Sequence, residues 1–137
     1  MSAIDSCVLK LDHLVFDEVS FLRKGFKNDN RLNFEFGFNF EMRDNGVFVT
    51  HVQVKGTKEA EYTFSVCASG FFWMDQTVED RDLIVRQNTV AIVFPYIRSQ
   101  ITMLTAQPGV EPIVLPPLNI AQMVESAMKS EKKQGVK

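Results

Sequence analysis

The side chains best suited to bind a metal or attack a carbonyl are few. They are two histidines, His13 and His51, and two cysteines, Cys7 and Cys67. A zinc-type site needs three or four ligands at characteristic spacings. Neither histidine has a Cys, Asp or Glu at such a spacing. Cys67 and His51 fall on neighbouring strands and would there form a thiol–imidazole pair. Nucleophilic catalysis also needs an orienting third group and donors for the developing oxyanion, and no residue pattern supplies them. The acids Asp75, Glu79, Asp80 and Asp82 precede a helical pattern, where carboxylates suit the positive end of the helix. The sequence has no P-loop, G-x-G-x-x-G, H-E-x-x-H or nucleophile elbow. The expectation is a protein that is not an enzyme, with no catalytic residue, no metal and no cofactor.

What the sequence offers instead is apolar surface. Twelve Phe occur in 137 residues, hydrophobic residues make up 45% and the net charge is −2. The length suits one domain with a real core, and the charge argues against a nucleic-acid partner. Leu32, Phe34, Phe36, Phe38, Phe40 and Met42 alternate with polar residues or glycine, a strand with one nearly all-aromatic face. Residues 7–22 read as a long strand with an irregularity near Asp12-His13. Asp44-Asn45-Gly46 is a hairpin turn, because Asn-Gly accepts positive φ. Val47–Lys55 returns as a third strand, Gly56-Thr57-Lys58 is the next turn and Ala60–Met74 the fourth strand. Four strands joined by short turns predict an antiparallel sheet.

The period then changes to that of a helix. Thr77 is the expected cap. Leu83, Gln87, Val90, Phe94, Ile97, Ile101 and Leu104 form a seam, with Pro95 expected to kink the helix. A helix over 78–106 spans about 43 Å, against a diameter of about 37 Å for a compact chain of this size. It is apolar on more than one side, and one sheet covers only one side. A homo-oligomer follows, a second copy covering the rest.

Gln107–Pro117 is a proline-rich crossover. Asn119 reads as the cap of a closing helix that carries Ile120, Met123, Val124, Ala127 and Met128 on one face. The fold class is therefore α+β: a four-stranded antiparallel sheet packed with one long kinked helix and a short C-terminal helix. Residues 1–128 form the single domain, and 129–137 form a basic, flexible tail. The N-terminus lacks an export signal and no apolar stretch is long enough to span a bilayer. A cytoplasmic protein with reduced cysteines is expected, without membrane insertion.

Ile92-Val93-Phe94-Pro95-Tyr96-Ile97-Arg98, Ile101-Thr102-Met103-Leu104-Thr105 and Val114-Leu115-Pro116-Pro117-Leu118-Asn119-Ile120 resemble the SecB family of protein-export chaperones. The resemblance is strongest from Val90 to Ile120 and extends in layout from Val8 to Met128. It implies an ATP-independent holdase, a homotetramer built as a dimer of dimers. Such a protein binds unfolded precursors in long apolar grooves and passes them to SecA in the Sec export pathway. The matching client-binding positions are Phe34, Phe36, Tyr62, Phe64, Ile113, Leu115, Ile120, Met123 and Val124. The implied oligomer interface comprises Phe64, Val66, Val90, Phe94, Ile97 and Ile101, and Glu18 matches one acidic SecA-docking position. Leu22 and Ser65 stand where the family has other acids, Ile120 replaces an aromatic, and a short basic tail replaces a long acidic one. These departures bear on SecA docking more than on the groove. SecB-like proteins also include solitary chaperones dedicated to an antitoxin, and that is the alternative reading.

Overall fold

A computed structural model describes residues 9–74, 82–116 and 118–135 of the chain. Four strands, β1 (Leu9–Arg23), β2 (Leu32–Met42), β3 (Val47–Lys58) and β4 (Tyr62–Met74), precede two helices, α1 (Asp82–Thr105) and α2 (Ile120–Gly135). The sheet is antiparallel throughout, in the order β1-β4-β3-β2. The chain therefore crosses from one sheet edge to the other between β1 and β2. The period-2 runs of Val, Phe and Thr form strands because branched and aromatic side chains pack well on a pleated surface.

The hairpin turn lies where Asn-Gly predicts it, with positive φ at Asn45 (64°) and Gly46 (76°). The turn expected at Gly56-Thr57-Lys58 lies further on, at residues 59–61, with Ala60 at φ 63°. Gly56 is instead a strand residue: a Cβ there would lie 2.2 Å from the Phe64 ring. The glycine makes room for an aromatic across the ladder. β1 contains two register shifts, at Leu11/His13 and Phe16/Glu18. The first is the expected irregularity near Asp12-His13.

The core lies between one sheet face and α1. Phe48, Val52 and Val54 of β3 and Phe64, Val66 and Phe72 of β4 meet Val90, Val93, Phe94, Ile97 and Ile101. Thr50 and Thr89, both buried, satisfy each other across this layer at 2.7 Å. α1 packs on β3 and β4, and α2 packs on α1 and reaches β2. The helix runs on through Pro95. Pro95 is exposed, as is Ala91, whose carbonyl loses its helical donor to the proline.

α2 continues to Gly135, past the expected domain end at Met128, so residues 129–135 extend a helix. A Glu125–Lys129 pair one turn apart, at 3.3 Å, supports that extension. Asn119 caps α2 as expected, its Oδ1 accepting from Gln122 N–H at 3.0 Å. Thr77, Glu79, Asp80 and Cys7 lie outside the described residues. Among the described residues no helix is long and apolar enough to cross a membrane.

Candidate functional site

The register puts Phe34, Phe36, Phe38 and Phe40 on the same sheet face as Val52 and Val54, the face that bears the helices. β2 is an edge strand, and α1 lies over β3 and β4, so these rings are only half covered. They form a row along the strand, tied by ring contacts at its ends and to the core. Phe34 stacks on Phe36 at 6.0 Å and meets Phe64 edge-on at 6.2 Å. Phe36 touches Phe94 at 6.3 Å, and the Arg86 guanidinium lies 4.9 Å from the Phe40 centroid.

Two cavities open along this run. The larger, about 510 Å³, is walled by Phe36 and Phe38 on one side and by Leu118, Asn119, Gln122, Met123, Ser126 and Ala127 on the other. The smaller, about 200 Å³, lies at the other end of β2, between Leu32 and Tyr62 and the crossover residues Glu111, Pro112 and Ile113. Phe34 stands in the strand between Leu32 of the smaller cavity and Phe36 of the larger. The result is an apolar groove bounded by β2, the crossover and the first turns of α2.

The crossover is held at a fixed distance. Thr105 Oγ1 accepts from Ile113 N–H at 2.8 Å, and Thr102 Oγ1 donates to Ile113 O at 2.7 Å. Val110 and Leu115 are buried on either side of that clamp. A proline-rich segment has few donors of its own, so these side-chain bonds take over its backbone pairing.

The small cavity has a polar wall. Lys58 and Glu61 form an ion pair, and Glu61 also accepts from Asn28 N–H at 3.0 Å. The Lys58 bond, and after it the Asn28 amide, hold the Glu61 carboxyl below its ordinary pKa of 4.5. Burial, with the Glu61 and Glu111 charges behind it, pushes the Tyr62 phenol up from 10.0. Tyr62 therefore presents a neutral hydroxyl at the groove's end.

The expected client-binding residues divide into two groups. Phe34, Phe36, Ile113, Ile120 and Met123 are half-exposed, and three of them, Phe36, Ile113 and Met123, line the cavities. Tyr62 is buried yet lines the smaller cavity. Phe64, Leu115 and Val124 are buried in the protomer's core cluster and support the groove from beneath. The sequence reading placed Ala127 on the apolar face of α2 without counting it among the client-binding positions, and it missed Gln122 and Ser126, which complete that wall. The centre of an amphipathic face packs into the core, so a groove is lined by that face's flank. Phe38 of the same aromatic face lines the groove as well.

The expected interface residues Phe64, Val66, Val90, Phe94, Ile97 and Ile101 are all core within one protomer. α1 turns that seam towards its own sheet. Apolar surface remains elsewhere. α1 exposes Ile92, Tyr96 and Met103, and β1 exposes Phe16 and Val19 on the helix-bearing face.

His51 and Cys67 line one cavity of about 340 Å³ together with Asp17, but the expected thiol–imidazole pair does not form. His51 Nδ1 bonds Ser69 Oγ at 2.7 Å, and Ser69 in turn donates to Asp17, so the imidazole is not paired with the Cys67 thiol. Cys67 Sγ contacts Ser65 and the Glu18 carboxylate. His13 stacks on Phe71 at 4.4 Å. Among the described residues no group of three His, Cys, Asp or Glu could hold a metal. Glu18 is exposed on the opposite, outer sheet face, where it accepts from Ser20 at 2.8 Å.

The family described as SecB, preprotein translocase subunit SecB, matches residues 19–131. An uncharacterized protein of Methanocaldococcus jannaschii is 29% identical over 138 aligned positions, covering 90% of this chain and 87% of its own. A Mycobacterium tuberculosis SecB-like chaperone, solved with a ChAD peptide from the HigA1 antitoxin, superposes with TM-score 0.68 at 12% identity. That match covers 85% of this chain and 91% of that one. A Streptococcus agalactiae protein of unknown function superposes with TM-score 0.51 at 13% identity, over 81% of this chain and 98% of that one.

Proposed function

Because the chain belongs to the SecB family, we propose that it is an ATP-independent holdase that binds unfolded polypeptide segments in the groove between β2 and α2. The observation that carries this reading is the half-covered aromatic run from Phe34 to Phe40, open between two cavities and braced by the Thr102–Thr105 clamp. The work is binding, with no covalent step. Burying client apolar surface contributes about 25 cal/mol per Å². A folded client hides its apolar segments, so binding selects the unfolded state. Aromatic and Met walls accept varied side chains, because Met is flexible and polarizable.

Main-chain contacts add to this. β2 pairs with β3 through eleven consecutive residues without a bulge. Its other edge has no backbone partner among the described residues. An extended client segment running beside β2 would place alternate side chains over the phenyl rings and its amides against that edge.

The protein acts as a homo-oligomer in this reading. A second copy covers Phe16 and Val19 of β1 with Ile92, Tyr96 and Met103 of α1. These surfaces replace the core residues that the sequence pointed to. A tetramer repeats the groove, so a long client gains avidity from several weak contacts. Delivery to SecA would use the outer face around Glu18, and the expected compartment is the cytoplasm. A second reading is a chaperone dedicated to one client such as an antitoxin. It is supported by the peptide bound to the similar mycobacterial chaperone.

Light scattering of the protein, alone and with a permanently unfolded precursor, tests the proposal. A particle near 62 kDa, four copies of 15.6 kDa, that takes up one client chain supports the general holdase. Uptake of one partner segment with refusal of the generic precursor supports the dedicated chaperone. A monomer that ignores every unfolded chain refutes both.

A further inference from the structure

The loop between β1 and β2 presents Phe26, 88% exposed, the largest exposure among the described large hydrophobic residues. Around it, residues 23–31 carry Arg23, Lys24, Lys27 and Arg31 against Asp29. Among the described residues no carboxylate lies in ion-pair reach of Lys24, Lys27 or Arg31. Two other acids share this end of the sheet. Glu59 is in the next turn, and Glu111 lines the small cavity beside Lys27. Glu61 is already neutralised by Lys58.

The loop is not free to fold its ring away. Lys24 and Gly25 N–H both donate to Glu61 O, at 2.7 and 3.1 Å. The Asn28 and Asn30 side-chain amides both donate to Glu59 O, at 3.0 and 2.8 Å. Gly25 passes so close to the turn that a Cβ would lie 2.3 Å from Ala60 O. A loop pinned to the next turn that holds one phenyl ring out among unpaired cations is an arrangement that water disfavours. It suits an interface apolar at depth and anionic at its surface. A protein partner would have to supply a fitted pocket for the ring, whereas a fluid lipid surface needs none.

We propose that this loop docks the protein on anionic membrane surfaces. Phe26 inserts at the headgroup–acyl boundary, while Lys24, Lys27 and Arg31 meet lipid phosphates. The inference does not depend on client binding: of its residues only Lys27 lines a cavity of the groove, while Phe26, Lys24 and Arg31 line neither. Each cation contributes about a fivefold gain in affinity near an anionic leaflet. Burying the ring adds about tenfold or more.

Co-sedimentation of the full chain with phosphatidylglycerol-containing vesicles, against pure phosphatidylcholine vesicles, reads this directly. The expected result is binding to the anionic vesicles only, weakened by salt. Phe26→Ala should reduce it about tenfold, and Lys24→Ala or Lys27→Ala about fivefold each, with thermal unfolding unchanged. Four results overturn the proposal. The first is no binding to anionic vesicles at low salt. The second is binding that survives Phe26→Ala but is lost in Lys132→Glu with Lys133→Glu, which assigns it to the C-terminal cations. The third is a lower oligomer mass for Phe26→Ala in scattering, which makes the ring an intersubunit contact. The fourth is preference for an RNA oligonucleotide over the vesicles.

Discussion

The two edges of the sheet solve the same problem in opposite ways. Each edge strand has a row of unpaired amides and an apolar face that the helices cover incompletely. β1 is broken by two register shifts and carries Asp12, Asp17 and Glu18 at those breaks. Bulges and charges of this kind discourage an extended chain from pairing along an edge. What β1 exposes is side-chain surface, Phe16 and Val19 at 39% and 40%. β2 has no bulge, no proline and no lysine, and its aromatic face runs straight into two cavities. The difference teaches that a bulged edge with apolar patches fits a folded surface such as a second copy. A straight edge beside a groove fits an extended chain.

The largest expected effect comes from exchanging damage between the edges. Phe36→Ala with Phe38→Ala should weaken binding of a permanently unfolded client by about tenfold to a hundredfold, from the lost apolar burial. Phe16→Ala with Val19→Ala should leave single-site peptide affinity within about twofold while lowering the particle mass, because the proposed subunit contacts and the groove lie at opposite edges. Calorimetry and light scattering on both variants read the two effects. A loss of peptide affinity in the β1 pair would break the division of labour.

Backbone chemistry sharpens the comparison further. An apolar peptide N-methylated at every second residue should lose about tenfold in affinity in one phase and little in the other, because only alternate amides face a neighbouring strand. Equal affinity in both phases would show that the client does not run along β2.

Smaller again is the bracing of the groove. Thr105→Val leaves the Ile113 N–H without its acceptor and should cost about 1–3 kcal/mol in denaturant unfolding. Peptide affinity should fall with it, as the crossover loosens.

The smallest effect is on acid stability. The carboxyl of Glu61 is held below 4.5 in the fold, by the Lys58 bond first. Its contribution is therefore present above pH 4.5, the unfolded value, and is lost as pH falls through the lower folded value. The acid limb of an unfolding curve should be shallower in Glu61→Gln, and wild-type and variant should converge at the lowest pH.

Much of this was legible in the residues because it is local. The alternation from Leu32 to Met42 specifies a strand with one aromatic face. Asn45-Gly46 specifies a turn with positive φ, and Asn119 specifies a helix cap. The site was legible as a set of apolar residues but not as a surface. Val124 and Met123 are neighbours of one character on one helix, yet one is core and the other groove wall. Phe64 and Phe36 are both strand aromatics on one sheet face, yet Phe64 belongs to the core cluster and Phe36 lines the groove. Gly56 read as a turn because the ring that fills its place lies across the ladder, eight residues on.

The sequence by itself determined the kinds of element, their order and the presence of more apolar surface than one protomer covers, because period, turn chemistry and capping act over a few residues. Only the tertiary structure decided that β1 lies beside β4, that the α1 seam turns inward and that the groove opens at β2. Those outcomes depend on which surfaces meet across the molecule, and burial is a property of the pair that meets rather than of either residue alone.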